Sequence, residues 1–199
     1  MMKNFYLIVF FAVVMSDSTA SAQTFIFGKA KSGQQLATVE SVTSMETFTG
    51  KTSKVSGILK LDQAKRKVAG FLEIDPATLE TGIGMRDEHL REPEWLNTAK
   101  YPKIRFTVKS IKQLSKDEYQ VKGDFALRGV TKAVTATVNA RYLKAGAATK
   151  KAGFAGDVLH IDARLQIALS DYGIQISGPA QGKVADNVNI RFVAFGTTK

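Results

Sequence analysis

The chain has 199 residues, with 28 lysines and arginines against 18 aspartates and glutamates, and it contains no cysteine. The absence of cysteine excludes a disulfide framework and a lipid-modified N-terminal cysteine, so stability must come from a packed core. The net charge of +10 is scattered along the chain without a single run. Such a surface suits solubility or adhesion to an anionic membrane, and we expect no nucleic-acid partner.

The N-terminus has the pattern of a secretory signal peptide. Lys3 precedes eleven unbroken apolar residues, Phe5 to Met15, and a small polar run then ends at Ala20-Ser21-Ala22. We therefore predict cleavage after Ala22, a single domain over residues 23–199, and export to the periplasm or the medium. The apolar run is shorter than the roughly 20 residues that a membrane-spanning helix needs, so we expect no transmembrane segment.

Most of the remaining chain alternates apolar and polar residues, which is the pattern of half-buried β-strands. The pattern recurs over residues 68–75, 104–110, 119–129, 133–142, 159–170 and 187–195. We expect Gly129-Val130-Thr131 to be a hairpin connection between two of these runs. One-sided strands joined by short turns are antiparallel and must cover one another's apolar faces. The sequence therefore predicts an all-β domain, either a sandwich or a closed antiparallel barrel that also removes exposed edges.

The stretch from Thr81 to Phe106 interrupts this alternation and holds the single tryptophan. We predict two short helical turns there, Arg86 to Leu90 and Pro93 to Thr98, with Pro93 at a first helical position. Tyr101-Pro102 then favours an extended backbone before the next strand. The stretch is predicted to form a short helical cap between strands, at one end of the barrel.

Two glycine-containing segments resemble fragments of nucleotide-binding loops. Gly82-x-Gly84 lacks the third glycine of a dinucleotide site, and the GPAQGK segment (178–183) is one residue short of a phosphate loop. Both are predicted to be turns or loops between strands.

The two histidines suggest catalysis or metal binding but do not complete a site. His89 has carboxylates as its neighbours and lacks the spaced ligand set that zinc needs. His160 and Asp162 share a strand face and could pair as base and orienting group, yet no serine elbow or cysteine supplies a nucleophile. We expect no catalytic residue, no metal and no cofactor other than a bound lipid, with an enzyme built on either histidine as a rival hypothesis.

Three segments together resemble the YceI-like family of lipid- and polyisoprenoid-binding proteins. The longest is LETGIGMRDEHLREPEWLNTAKYPKIRF, and GDFALRGVTKAVTATV and LSDYGI agree with two further elements of the family. The matching positions of the first segment are Thr81, Gly82, Arg86, Asp87, His89, Leu90, Trp95, Leu96, Tyr101, Pro102, Ile104 and Phe106. The resemblance spans roughly residues 50 to 195, and it departs from the family in the more polar stretch QQLATVESVTSMETFTGKTSKVSG.

The resemblance implies a lipocalin-like antiparallel β-barrel whose lumen holds an apolar ligand. The expected ligand is a polyisoprenoid, a quinone or a fatty-acid derivative, held by a carrier or storage protein that is a monomer or a homodimer. Since alternate residues face opposite sides, Leu72 is expected to face the lumen and Phe71 the outside. The alternative function is a non-enzymatic envelope module that docks through its basic outer surface.

Two sets of residues are predicted to contact the ligand. The lumen set is Leu72, Ile104, Phe106, Phe125, Leu127, Val138, Ile167 and Phe192. The headgroup or cap set is Arg86, Asp87, His89 and Trp95.

Overall fold

The computed structural model describes residues 22–29 and 34–198, so nearly all of the predicted signal peptide lies outside the described residues. The described part forms ten strands and two α-helices. The strands are β1 (Gln23–Phe27), β2 (Leu36–Val42), β3 (Thr47–Thr52), β4 (Val55–Asp62), β5 (Lys67–Ile74), β6 (Ile104–Gln113), β7 (Glu118–Leu127), β8 (Val130–Leu143), β9 (Val158–Ala168) and β10 (Asn187–Thr197). The helices are α1 (Gly84–Arg91) and α2 (Ala147–Lys151).

The strands form a closed antiparallel barrel, as the sequence predicts. Hydrogen-bonded neighbours run in the order β1-β4-β5-β6-β7-β8-β9-β10, and β10 pairs again with β1. β10 has two successive neighbours on one edge, because Phe27 pairs with Gly196 near its end and β2 pairs with residues 189–193 near its start. The β2–β3 hairpin thus extends the sheet at one end of an eight-stranded ring.

Alternation in the sequence places one face of each strand in the core. On β9, Leu159, Ile161, Ala163, Leu165 and Ile167 are buried, whereas the residues between them are exposed or half-buried. β6 keeps an apolar inner face only because the register shifts between Val108 and Ser110. Such a β-bulge adds one residue to the strand, so the following apolar side chain, Ile111, also packs against the core.

The predicted connection between β7 and β8 is longer than the observed one. Only Arg128 and Gly129 form the turn, with φ values of 52° and 77°, and Val130 already pairs with Leu127. Two residues with positive φ form the type I′ geometry that matches the twist of the flanking strands. Val130 and Thr131 therefore belong to β8, and the prediction that they are loop residues is wrong.

The cap contains one helix where two helical turns were predicted. α1 includes the predicted turn from Arg86 to Leu90, but residues 93–98 form non-helical turns. Their backbone amides donate back to the end of α1, from Leu96 to Leu90 and from Thr98 to Arg91. The positive φ of 48° at Asn97 also interrupts any helix there. The segment folds back over the C-terminal end of α1.

Arg128 ties this segment to the loop after β9. Its guanidinium donates hydrogen bonds to the carbonyl oxygens of Pro93, at 2.6 Å, and of Gly173.

Among the described residues no helix is long and apolar enough to cross a membrane.

Candidate functional site

One end of the barrel interior holds a cavity of about 550 Å³, which we call the proximal chamber. Its volume falls within the roughly 300–1,000 Å³ of small-molecule pockets. Its floor and walls are aliphatic and aromatic, from Ile74, Leu79, Ile104, Phe125, Leu127, Ile167, Leu169, Ile174, Val188, Ile190 and Phe192. Residues of α1, of the segment after it and of the 177–184 loop complete the chamber at its mouth.

A second cavity of about 170 Å³, the distal chamber, lies further along the same strands. None of the described residues that line it is charged, and its polar atoms come from Tyr119 and Tyr142. Phe192 lines both chambers.

All eight predicted lumen residues lie on chamber walls. Ile104, Phe125, Leu127, Ile167 and Phe192 line the proximal chamber, whereas Leu72, Phe106 and Val138 line the distal one. Phe71 is outside, as predicted, where the Arg105 guanidinium lies 4.2 Å from its ring centroid. The eight lumen residues face the interior because of strand alternation. Their contact with a ligand stays a prediction.

The mouth of the proximal chamber carries mixed charge. Arg86, from the predicted headgroup set, forms an ion pair with Glu46 and lies 4.3 Å from the ring centroid of Phe48. Glu92, Glu94 and Lys183 also line the chamber, together with His89. Arg86 is thus already paired with Glu46, and its contact with a ligand headgroup stays a prediction.

Asp87 holds the turn before α1 and does not line either chamber. It is buried, and its Oδ1 accepts hydrogen bonds from the Thr81 amide at 2.7 Å and the Thr81 hydroxyl at 2.6 Å. Burial alone would raise the pKa of this carboxyl, but the Thr81 hydrogen bonds, with Arg91 and Arg86 nearby, outweigh it and lower the pKa. The geometry gives Asp87 a structural role in the cap.

The two remaining cap residues, His89 and Trp95, both line the proximal chamber. His89 is exposed on α1, and Trp95 is half-buried and packs against the core. Within residues 22–29 and 34–198, no three His, Cys, Asp or Glu side chains are grouped so that they could hold a metal ion.

Comparison with known protein families matches residues 17–194 to the YceI-like domain. The chain belongs to the YceI-like family.

Relatives of this YceI-like chain include protein YceI of Escherichia coli O157:H7, which is 38% identical over 115 residues, 56% of this chain and 55% of that protein. The chain spans about half the length of the curated relatives it matches. Burkholderia cenocepacia BcnA is similar in structure, with a TM-score of 0.70 and 23% identity over 84% of this chain and 99% of that one. A polyisoprenoid binding domain from Saccharophagus degradans gives a TM-score of 0.64 and 18% identity over 89% and 99%. These structural likenesses show a shared fold.

His160 and Asp162 do not form a dyad on the YceI-like barrel. His160 stacks on Phe195 with ring centroids 4.5 Å apart, and burial lowers its pKa. Asp162 instead accepts hydrogen bonds from Arg191 at 2.9 and 2.7 Å and from Arg164 at 3.2 Å. The Arg191 hydrogen bonds lower the pKa of Asp162, so its charge is already compensated by arginine.

A polar cluster ties several elements together beside the distal chamber. The Asp157 carboxylate accepts hydrogen bonds from the Tyr142 hydroxyl at 2.6 Å, the Gln23 amide at 2.9 Å and the Ala145 backbone amide at 2.7 Å. The Tyr142 and Ala145 hydrogen bonds lower the pKa of Asp157 despite its partial burial. Since Tyr142 also lines the distal chamber, this cluster holds one wall of that chamber in place.

Glu46 and Phe48, which the β2–β3 hairpin brings to the mouth, were not among the residues predicted from the sequence. Glu46 is 40 residues from Arg86 in the chain, and no local spacing links them.

Proposed function

We propose that this YceI-like protein binds one long apolar chain inside its barrel, as a carrier or storage protein without enzymatic activity. The observation that carries the proposal is the proximal chamber, a cavity of about 550 Å³ whose lining is mostly apolar. Each methylene removed from water contributes about 0.8 kcal/mol, so a chain needs few polar contacts to bind there. A polyisoprenoid, a quinone or a fatty-acid derivative has this shape, and the Saccharophagus degradans domain is named for polyisoprenoid binding.

The proposed place of action is the periplasm or the medium. The support is the signal-peptide pattern of residues 1–22, with its apolar run and its Ala-Ser-Ala end. An exported carrier would meet such ligands at the envelope.

Trp95 offers a direct test, because it is the single tryptophan and it lines the proximal chamber. A fatty acid brominated along its chain is added to the purified protein, and the tryptophan emission is followed. We expect saturable quenching, because the bromine atoms of a bound chain would lie against the indole. An unbrominated fatty acid of the same length should relieve the quenching by competition.

Two matched variants show where the chain binds. Leu90→Glu places a charge on the wall of the proximal chamber and should weaken binding, whereas Leu114→Glu adds the same charge at an exposed site in the β6–β7 turn and should not. Circular dichroism checks that both variants keep the β fold. Quenching that resists competition, or that Leu90→Glu leaves unchanged, would exclude the chamber and direct attention to the basic outer surface.

A further inference from the structure

The loops that join the strands are divided between the two ends of the barrel, because hydrogen-bonded neighbours in an antiparallel ring run in opposite directions. The end opposite the mouth, which we call the distal end, carries the β4–β5, β6–β7 and β8–β9 connections. These are residues 63–66, 114–117 and 144–157. The connections at the mouth are residues 43–46, 75–103, 128–129 and 169–186.

The net charges of the two ends are opposite in sign, although basic residues are scattered along the sequence. The distal connections contain six lysines and arginines and two aspartates. The mouth connections contain nine aspartates and glutamates and six lysines and arginines. The fold therefore concentrates positive charge at the distal end and gives the mouth a net negative charge.

The cationic side chains of the distal end are exposed, whereas its two carboxylates already have partners. The Asp157 carboxylate accepts three hydrogen bonds, and Asp117 lies 3.8 Å from the Nε of Arg141. The exposed cations are Lys65, Arg66, Lys116, Lys144, Lys150 and Lys151. Lys65 also lies 3.6 Å from the carboxylate of Asp62. Together these cations give the distal end a positive potential that attracts anionic groups.

Two exposed leucines lie among these lysines. Leu114 is 50% exposed and lies two residues before Lys116, and Leu143 is 47% exposed and directly precedes Lys144. Proteins that lie on a membrane combine such residues, because lysines meet the anionic headgroups while leucines enter the boundary between headgroups and acyl chains. A soluble polyanion would contact only the lysines. The leucines therefore favour a lipid surface as the partner.

We propose that the distal end docks on a bilayer that contains anionic lipids, with Leu114 and Leu143 in the headgroup region and the mouth facing away. The mouth also has exposed apolar side chains, at Met45, Ile83 and Met85. Its net negative charge would be repelled by anionic headgroups, so charge decides which end docks. Docking needs no chain in the barrel, so it can fail while the proposed function stands.

The first test measures binding of the purified protein to lipid vesicles. We expect binding to vesicles of phosphatidylcholine and phosphatidylglycerol in equal parts, none to phosphatidylcholine alone, and weaker binding as salt is raised. Lys150→Glu with Lys151→Glu should weaken binding at least about tenfold, since each lysine near an anionic surface contributes about fivefold. Lys100→Glu with Lys103→Glu makes the same charge change on exposed residues at the mouth and should have little effect.

A second pair of variants tests the leucines. Leu114→Ser with Leu143→Ser should weaken binding to the mixed vesicles at least about fivefold. Val42→Ser with Ile58→Ser replaces two exposed apolar residues outside the distal end and should leave binding unchanged. Dextran sulfate, a soluble polyanion, should bind the leucine variant as tightly as wild type. Circular dichroism checks that each variant keeps the β fold.

The orientation can be measured with a single label, because the chain contains no cysteine. Ser115→Cys places a nitrobenzoxadiazole label at the distal end, and Ser44→Cys places it at the mouth, both at exposed positions. The emission of this label rises on contact with lipid. On the mixed vesicles we expect that rise for Ser115→Cys and not for Ser44→Cys.

Four results would overturn this docking surface. Equal losses from the distal and mouth lysine pairs would mean that the overall charge of the protein sets binding. A leucine variant that binds vesicles like wild type would indicate a soluble polyanion as the partner. A rise in emission at Ser44→Cys would place the mouth on the bilayer. No binding to the mixed vesicles would exclude docking, while chain binding in the barrel would be unaffected.

Discussion

At the mouth of the proximal chamber, the charge of Arg86 is compensated before any ligand arrives. Glu46 pairs with it and the Phe48 ring lies beneath it. An anionic headgroup would therefore have to displace Glu46 to reach the guanidinium. The residue-scale consequence is that the chain, rather than the charge of the headgroup, should decide affinity.

Replacing Glu46 with glutamine should make affinity depend more strongly on the charge of the headgroup. Glu46→Gln releases Arg86, and we expect affinity for a fatty acid to rise up to about fivefold relative to the alcohol of the same length, as for an exposed ion pair of about 0.2–1 kcal/mol. Competition binding with both ligands measures the ratio.

Glu94→Gln serves as the control, because it removes a negative charge from the same mouth without releasing Arg86. An equal gain in Glu94→Gln would mean that the general charge of the mouth, and not Arg86, sets the preference. A wild-type protein that already prefers the fatty acid strongly would contradict the account.

At the scale of elements, Asp157 joins β1, β8 and the loop after β8 through its three hydrogen bonds. Asp157→Asn should cost about 1–3 kcal/mol of unfolding free energy at pH 7, because one carboxylate oxygen is lost as an acceptor. The folded pKa lies below the ordinary value of 3.8, so the stabilising contribution is present above pH 3.8 and is lost as the pH falls through the folded pKa.

Urea unfolding of both proteins at pH 7 and near pH 3 checks this sign. The difference in unfolding free energy between wild type and Asp157→Asn should be smaller at the lower pH. Asp124→Asn, which removes an exposed ion pair with Lys109 on the outer surface, should cost less than about 1 kcal/mol. If Asp157→Asn lowers the unfolding free energy equally at both pH values, the carboxylate charge is not what joins these elements.

The elements that the sequence predicts well are those whose inner positions are large and apolar. β9 and β10 are read directly from their alternation. The β2–β3 hairpin is harder to read, because the buried positions there include Ser41, Gly50 and Thr52. Ser41 is satisfied in the core by the Ala185 amide at 2.9 Å, a contact 144 residues away in the chain. Tertiary contacts of this kind leave no local pattern.

At the scale of the whole molecule, closure of the barrel was predictable and its internal space was not. One-sided strands without covering helices must bury their apolar faces against one another, in a sandwich or a closed barrel, and the resemblance to the YceI-like family favoured the barrel. Whether the interior is filled depends on how rings such as Phe106 and Phe192 occupy places left by Gly123, Ala37 and Ala163. Alternation shows which side of the sheet a side chain faces. It does not determine the volume that remains between side chains.

Carriage of one long apolar chain inside this barrel can be tested on the protein purified from its own envelope. The experiment is native mass spectrometry, followed by organic extraction and lipid analysis. We predict a mass that exceeds the protein by one long-chain lipid, recovered in stoichiometric amount. A mass of the protein alone, with no uptake of added quinone or polyprenyl phosphate, would show that the barrel does not carry such a chain.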